Sequence, residues 1–308
     1  ICKADLASDL VGEYPELQGT MGKYFASEQG FEEDIFMAIK DHYLPIGTNS
    51  EVPKKPLGSA IALIDKIDLL IGFFGINEKP TSSKDPFALR RAAIGILRII
   101  IENKLSIQLK DIINYSIVTY EEQNVKFSNE SISKEVLIFL RERFKNLLKD
   151  KKIRNDIIEA ADSSHTNDNF VILYKKCLIV NQNIKKDIYK DIIASYKRAS
   201  NIIDQELKNK NENIVGQPES HLFNKEEEKK LFDKINEIRH YFSSARKSES
   251  YDETLKVLAA AKPTTDVFFE NVIVNDENSD IKKNRLELLK MFCKTYNNFI
   301  DFSKMEGA

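Results

Sequence analysis

The chain has 308 residues, of which 42% are hydrophobic and 31% are charged, and its formal net charge is −2. This composition is typical of a globular protein with a well-hydrated surface, and it excludes a largely disordered chain. The length predicts more than one folded unit, because single hydrophobic cores rarely grow beyond about 250 residues.

Two further features narrow the class of protein. No apolar stretch approaches the roughly 20 residues that a bilayer-spanning helix needs, so we expect no membrane segment. The three cysteines, Cys2, Cys177 and Cys293, are far apart, which argues against a zinc knuckle or a disulfide framework. We therefore expect a protein of the reducing cytoplasm.

Charge is distributed unevenly along the chain. Residues 1–80 carry thirteen acidic and seven basic side chains, whereas residues 84–110 carry two and six, and residues 141–154 carry two and seven. A polyanion responds to such a local surplus rather than to the total charge. The two basic stretches are therefore candidates for contact with phosphate groups.

Apolar residues recur with the helical period along most of the chain, and strict alternation is nearly absent, so we predict an all-α fold. The first well-bounded helix is predicted from about Leu57 to Phe74, between turn-forming residues at 45–56 and 77–86. The mostly polar stretch 105–190 is expected to contain several helices, among them an amphipathic one at 133–148.

The last third of the chain alternates helices with polar loops. A basic helix is predicted from about residue 185 to Lys210, followed by an exposed loop at Asn211–Lys225 that contains glycine and proline. A helix is predicted at Glu226–Ser244 and a second loop at Asn275–Asp280. Apolar side chains then recur at helical spacing from Leu286 to Ile300, which indicates a core-facing helix.

Two adjacent arginines lie near the start of another predicted helix, for which Asp85 is the expected N-cap and Pro86 the expected first residue. Arg90, Arg91 and Arg98 are candidate phosphate contacts, because guanidinium groups pair bidentately with phosphate.

A structural role is the more common alternative for these arginines. Arg98 lies four residues before Glu102, a spacing at which helical side chains form ion pairs. Gly95 lies on the same stripe, and a glycine inside a helix hints that a ligand or another chain segment approaches closely.

The predicted helix after residue 185 presents a second basic group. Lys197, Arg198 and Asn201 lie beside Tyr196, and charge combined with aromatic stacking is how single-stranded nucleic acid is usually held. The alternative is a helix surface that only faces water.

None of the four histidines is spaced from another histidine or a cysteine as a closed metal site requires. Asp5, His42, Asp65 and Asp68 would suit hydrolytic metal chemistry if the first helices pack together. The adjacent His-Asp pair typical of such sites is Ala4-Asp5 here, so the pattern is incomplete. We predict no metal site. We also predict no catalytic residue, because the chain has no glycine-rich phosphate loop, nucleophile elbow or Cys/His pair.

Several motifs occur in the order in which they occur in one known family. They are Cys2–Leu6, Val11–Gly19, His42–Pro45, Ala62–Asp68, Gly72–Gly75, Pro80–Arg91, Phe139–Phe144, Lys197–Ile202 and Asn284–Leu286. On these motifs the chain resembles the C-terminal part of the beta subunit of the bacterial two-subunit glycyl-tRNA synthetase. The resemblance is weakest between about residues 105 and 185.

The resemblance implies an all-α protein of three parts. Residues 1–104 are expected to form a domain similar to the HD superfamily, residues 105–184 a helical connecting body, and residues 185–308 a helical-bundle anticodon-binding domain. We expect the chain to be a fragment of a longer subunit whose N-terminal portion is missing.

The resemblance also implies a function and partners. The chain would bind tRNA(Gly) and support the ATP-dependent attachment of glycine, while the alpha subunit of an alpha-2 beta-2 assembly binds ATP and catalyses the reaction. We therefore expect no cofactor on this fragment and a cytoplasmic location. The candidate tRNA-binding residues are Arg90, Arg91, Arg98, Lys197, Arg198 and Asn201.

Two alternative functions follow from the first segment. One is a metal-dependent HD-type phosphohydrolase built on Asp5, His42 and Asp65, although alanine at position 4 indicates that these positions are degenerate. The other is a structural helical scaffold whose acidic first segment docks the alpha subunit.

Overall fold

The computed structural model describes residues 1–47, 49–81, 83–163, 169–210, 216–245 and 251–306. Within these ranges every regular element is helical, which confirms the all-α prediction. None of the helices in these ranges combines the length and the apolar character needed to cross a bilayer.

The chain divides into two compact units. The first contains the described residues within 1–151 and 167–172, and the second contains those within 152–166 and 173–308. Two points about domain organisation stay predictions. They are the division into three parts, with boundaries after residues 104 and 184, and the HD-like character of the first part.

The first unit is a helical bundle around one long central helix. Its helices are α1 (Asp9–Glu13), α2 (Thr20–Glu28), α3 (Glu33–Asp41), α4 (Pro56–Gly75), α5 (Leu89–Glu102), α6 (Leu109–Glu122) and α7 (Ile132–Asp150), with 3-10 turns at Ala4–Ala7 and Pro15–Leu17. Helix α4 packs against α3, α5, α6 and α7, so its apolar residues form the centre of the core.

Helix α4 matches the predicted span within one residue at each end. It begins at Pro56, whose fixed φ suits the first helical turn. At its other end, the Gly75 carbonyl accepts hydrogen bonds from the backbone N–H groups of Ser128 (3.0 Å) and Asn129 (3.2 Å). The ring of Phe127 covers Gly75 so closely that a Cβ there would clash with it. The segment before α7 therefore closes the end of α4.

Helix α5 begins three residues later than predicted. Ala88 has a left-handed backbone (φ 55°), so Pro86 lies in a turn before the helix rather than at its first position. The Asp85 carboxylate accepts hydrogen bonds from the N–H groups of Leu89 (2.8 Å) and Arg90 (3.0 Å). The N-cap position is Ala88, so the predicted positions of both Asp85 and Pro86 were wrong, although the Asp85 carboxylate still bonds the first turn of the helix.

The second unit is built around α10 and α14. Its helices are α8 (Asn155–Asp162), the greater part of α9 (Phe170–Asn183), α10 (Asp187–Lys210), α11 (Glu226–Ala245), α12 (Tyr251–Ala259), α13 (Lys262–Asn271) and α14 (Ser279–Asn297), with 3-10 turns at Ser220–Leu222 and Phe302–Lys304. Helix α10 packs against α12, α13 and α14, and α11 packs against α13 and α14.

The predicted helices of the last third are confirmed. Helix α10 ends at Lys210, and α11 extends one residue beyond the predicted end. The predicted stripe from Leu286 to Ile300 is fully buried, and within it the Tyr296 hydroxyl donates a 2.7 Å hydrogen bond to the Leu258 carbonyl. Residues 211–215 of the predicted loop lie outside the described residues.

A buried ion pair joins α14 to the start of α11. The Arg285 guanidinium donates to the Glu228 carboxylate at 2.6 Å, and both side chains are almost completely buried. Glu228 also accepts the backbone N–H groups of Asn224 and Lys225, each at 2.8 Å. Arg285 further donates to the Ile273 carbonyl and to Asp276. The pair is thus satisfied from several sides, which a buried charge requires.

Candidate nucleic-acid interface

Helix α10 presents the predicted basic group outward from the second unit. Tyr196, Ala199 and Ile203 are buried and fix the orientation of the helix. Arg198 and Asn201 are exposed, and Lys197 is half-buried. The structure therefore brings all three predicted residues to one stretch of α10, where a ligand can reach them.

Arg198 pairs with an aromatic residue of α13. Its guanidinium lies over the ring of Phe269, 4.5 Å from the ring centroid, and its Nη2 donates a 3.3 Å hydrogen bond to the Phe269 carbonyl. Cation–π and backbone contacts of this kind hold an exposed guanidinium in place without neutralising it. Arg198 is therefore a fixed positive group beside an aromatic ring.

Phe269 is a site residue that the sequence reasoning missed. The acidic stretch 251–274, with Phe268 and Phe269 on a short helix, predicts packing with a solvated face and no ligand contact. Only Phe268 is fully buried, and Phe269 is half-buried beside Arg198. Neighbouring residues on a helix point in different directions, so a pair of phenylalanines on a short amphipathic helix cannot both face the core. This difference in direction is the feature of the sequence from which an exposed Phe269 could have been predicted.

Helix α13 also carries a neutralising ion pair, and exposed apolar groups lie on this helix and just after it. Lys262 forms an ion pair with Asp266, and that hydrogen bond raises the pKa of Lys262 above its usual value. Val267 and Ile273 are the large hydrophobic residues that the described part of the second unit exposes. Cations, an aromatic ring and apolar side chains together suit unstacked bases of single-stranded RNA. We call Lys197, Arg198, Asn201 and Phe269 the α10–α13 surface.

In the first unit, Arg98 has a structural position. Its guanidinium donates to the carbonyls of Gly47 (3.1 Å) and Ser50 (2.7 Å) and to the Glu102 carboxylate (2.8 Å). These bonds fix the loop before α4 against α5, and they include the i,i+4 pair expected as the alternative to phosphate contact. A tRNA contact by Arg98 stays a prediction that this geometry does not favour.

Arg90 and Arg91 lie at a cleft between the same loop and the first turns of α5. The cleft has a volume of about 450 Å³ and is lined by Pro45, Ile46, Gly47, Asp85, Ala88, Arg90, Arg91, Ile94 and Gly95. Arg90 is half-buried and donates to the Thr81 carbonyl. Arg91 is exposed and makes no hydrogen bond or ion pair with any residue that the structure describes.

The close approach expected at Gly95 comes from the protein itself. A Cβ there would lie 3.0 Å from Cε of Lys66 on α4 and 3.5 Å from Cδ of Pro45. Lys66 crosses beneath α5 and donates hydrogen bonds to the carbonyls of His42 (3.1 Å) and Tyr43 (3.4 Å). Burial lowers the pKa of Lys66 to about 8.

The three degenerate HD-type positions are engaged by groups of the protein itself. One oxygen of the buried Asp5 carboxylate accepts the N–H groups of Gly19 (2.6 Å) and Gly22 (3.2 Å), and Nδ1 of His42 is 2.6 Å from the Ile39 carbonyl oxygen.

The third of these positions, Asp65, is paired with the Lys3 ammonium at 2.7 Å. The described residues contain no group of three histidine, cysteine or acidic side chains placed to hold a metal ion. Burial lowers the pKa of His42, which keeps the ring neutral. The residues therefore do not fit the metal that the phosphohydrolase alternative requires, and that alternative is not favoured.

Comparison with known proteins links these sites to one family. A family model described as the glycyl-tRNA synthetase beta subunit matches residues 1–163, and a model described as the DALR anticodon binding domain matches residues 192–302. The second match contains the α10–α13 surface.

Full-length relatives agree with the family models. The chain is 35% identical over 308 residues to the glycine–tRNA ligase beta subunit of Ruegeria sp. (strain TM1040), covering 100% of this chain and 43% of the relative. It is 38% identical over 307 residues to that of Rickettsia canadensis (strain McKiel), covering 99% and 44%. The chain thus spans less than half the length of these relatives.

Proposed function

We infer the function from the family: this chain belongs to the glycyl-tRNA synthetase beta subunits, and we propose that it holds tRNA(Gly) for aminoacylation. The observation that carries the proposal is the α10–α13 surface, which lies inside the match to an anticodon-binding domain. There Arg198, fixed over Phe269, presents a positive charge and an aromatic ring together.

The physical requirements of an anticodon loop match this surface. Loop bases are unstacked and are held by aromatic or guanidinium planes, while phosphates are held by cations. Arg198 and Phe269 supply the first kind of contact, and Lys197 supplies the second. Asn201 adds an exposed amide that can both donate and accept hydrogen bonds to a base edge.

The bond between glycine and tRNA is formed elsewhere in this proposal. The chain carries no recognisable catalytic motif, and we assign ATP binding and catalysis to an alpha subunit in an alpha-2 beta-2 assembly. This part of the beta subunit then binds no cofactor of its own and acts in the cytoplasm.

The surface of the first unit favours a second, compatible role in subunit docking. Its first 31 residues expose seven large hydrophobic side chains: Ile1, Leu6, Leu10, Tyr14, Tyr24, Phe25 and Phe31. The same segment is rich in acidic residues. Exposed apolar groups bordered by charge are typical of protein interfaces, so we propose that the alpha subunit docks there.

A titration of tRNA(Gly) against the full chain tests the first role. We expect binding that weakens steeply as salt increases, because phosphate contacts release counterions. Replacing Arg198 with alanine removes both charge and stacking and should weaken binding about tenfold, within the range of one base–aromatic contact. Arg198→Lys, which keeps only the charge, should lie between the two.

Lys190→Ala is the matched control, because Lys190 is an exposed cation on the same helix and its ion pair within the described part of the chain is with Asp187. It should bind tRNA nearly as the unmodified chain does. Equal losses in Arg198→Ala and Lys190→Ala, or binding that ignores salt, would count against the α10–α13 surface.

Co-elution with the alpha subunit tests the second role. The double change Leu6→Glu, Tyr24→Glu places charge on exposed apolar positions and should abolish co-elution without unfolding the chain. Tyr115→Glu, at another exposed position of the first unit, should leave it intact. Co-elution that survives the double change would refute docking at this segment.

A further inference from the structure

The cleft belongs to the first unit, whereas the α10–α13 surface belongs to the second, and the cleft has walls of two kinds. One wall is the loop Pro45–Gly47, where Ile46 is 59% exposed. The other is the first turns of α5, which carry Arg90, Arg91 and Ile94. An apolar wall facing two guanidinium groups is the combination that ligands with both a flat apolar part and an anionic part require.

The loop wall is held firmly by contacts outside the cleft. Arg98 donates to the Gly47 and Ser50 carbonyls, and the Ser50 hydroxyl donates to the Gly47 carbonyl at 2.9 Å. The Gly47 N–H in turn donates to the Ser50 oxygen at 3.0 Å. A loop fixed in this way forms a cleft before any ligand arrives, which lowers the cost of binding.

Two of the charged groups of the cleft are already bonded within the protein, and the third can bind a ligand. The Asp85 carboxylate is engaged by the N–H groups of Leu89 and Arg90, so the first turn of α5 is already capped. Arg90 is tethered to the Thr81 carbonyl. Arg91 is exposed and has no partner among the described residues, so its guanidinium can pair with an anion from outside.

We propose that this cleft binds one phosphorylated nucleotide unit, with its phosphate on Arg91 and Arg90 and its base or ribose against Ile46 and Ile94. A volume of about 450 Å³ is at the lower end of small-ligand pockets and suits a group of nucleotide size rather than a duplex. Arg91 acts as the anion contact, and Ile46 as the apolar contact. The same chemistry is offered by an unpaired nucleotide in an RNA strand and by a free mononucleotide.

The test is calorimetric titration of the full chain with AMP and, separately, with a five-nucleotide single-stranded RNA. We expect at least one ligand to bind, and Arg91→Ala to weaken that binding about tenfold, the effect of one charge-assisted bidentate contact. AMP binding identifies a free mononucleotide as a sufficient ligand. Binding of the RNA alone identifies a nucleotide within a strand.

Two further variants separate the cleft from general charge. Ile46→Glu places a carboxylate in the cleft at an exposed position and should weaken binding at least as much as Arg91→Ala does, whereas Ile46→Gln, which removes the apolar contact without adding charge, should weaken it less. Lys110→Ala removes an exposed cation from α6 and should leave binding unchanged. Circular dichroism of each variant verifies that it is folded.

Three results would overturn the cleft as a nucleotide site. They are the absence of binding by either ligand at millimolar concentration, unchanged binding in Arg91→Ala, and an equal loss in Lys110→Ala. Unchanged binding in Arg91→Ala would leave the tRNA-binding role of the α10–α13 surface standing, because Arg198→Ala and Arg91→Ala alter different units.

Discussion

The two units of this chain differ in how many large hydrophobic side chains they expose to solvent. Among the described residues, the first unit exposes sixteen large hydrophobic side chains, whereas the second exposes two, Val267 and Ile273. Both of these lie on or just after α13, the helix that carries Phe269. Apolar exposure spread over the first unit suits contact with other polypeptides, and its restriction in the second suits a polar ligand such as RNA.

The units also differ in how they hold buried charge. In the second unit, Arg285 and Glu228 pair with each other and with backbone groups. Unpartnered buried polar atoms occur in both units: among the described residues they include one atom each of Asp5 and His42 in the first unit and of Tyr189 and Ser195 in the second. What distinguishes the second unit is its buried ion pair, whose two charges are satisfied by each other and by backbone groups, whereas the core of the first unit is apolar packing around α4.

The largest effect is expected from removing Arg285. Arg285→Ala leaves the Glu228 carboxylate buried without its cation, and loss of one partner from a buried pair costs about 3–5 kcal/mol in the free energy of unfolding. Urea unfolding followed by circular dichroism measures this loss. Arg285→Met combined with Glu228→Gln should cost less than Arg285→Ala, because no buried charge is left unpaired.

Arg98→Ala is the comparable substitution in the first unit, because it also removes an arginine that bonds to the backbone and to a glutamate. Arg98 binds two carbonyls and a partly exposed glutamate, so its loss should cost only about 1–2 kcal/mol. If Arg285→Ala costs no more than Arg98→Ala, the network of the second unit lacks the role assigned to it.

A smaller effect is expected at two glycines of α4. Gly75→Ala would push a Cβ into the ring of Phe127 and should destabilise the chain by about 1–3 kcal/mol, as overpacking does. Gly72→Ala meets only the Tyr120 hydroxyl, at an ordinary 3.4 Å, and should stabilise the helix by up to about 1 kcal/mol. Thermal melting of the two variants would contradict this view of the core if both shifted in the same direction.

The sequence predicted correctly those helices for which the apolar periodicity and the residues at the helix ends indicate the same bounds. The bounds of α4, α10 and α11 followed from apolar periodicity and from proline or polar residues at the ends. The start of α5 was missed because its left-handed residue is Ala88, and alanine gives no sign of that conformation.

The sequence predicted which residues belong to the candidate sites, but it did not predict the contacts that these residues make with distant parts of the chain. Lys197, Arg198 and Asn201 follow one another on one helix, so their common surface could be foreseen. The contact of Arg198 with Phe269 joins residues 71 positions apart, and that of Arg98 with Gly47 joins residues 51 apart. Such pairs depend on how helices pack, which spacing along the chain does not determine.

The smallest effect is a dependence of stability on pH, to which buried lysines and buried cysteines contribute with opposite signs. Burial lowers the pKa of Lys176 in the second unit to about 8, as it does that of Lys66 in the first. The folded chain therefore releases each of these protons before the unfolded chain does. Stability then rises with pH above about 8, by about 1 kcal/mol up to pH 9.5 for each lysine. In the second unit, burial raises the pKa values of Cys177 and Cys293 to about 12, so the unfolded thiols lose their protons first and stability falls as pH rises past 9.

Urea unfolding at pH 8 and pH 9.5 separates the two contributions. Relative to Lys66→Met, the unmodified chain should gain about 1 kcal/mol between these values, and relative to Cys177→Ala it should lose about 1 kcal/mol. The window ends below pH 10 because the raised pKa values of Tyr43 and Tyr120, about 12, destabilise the folded state as pH rises beyond the ordinary tyrosine range. If both variants shifted in the same direction, burial of Lys66 and of the Cys177 thiol would not control the pH dependence, since the two groups release protons in opposite order on unfolding.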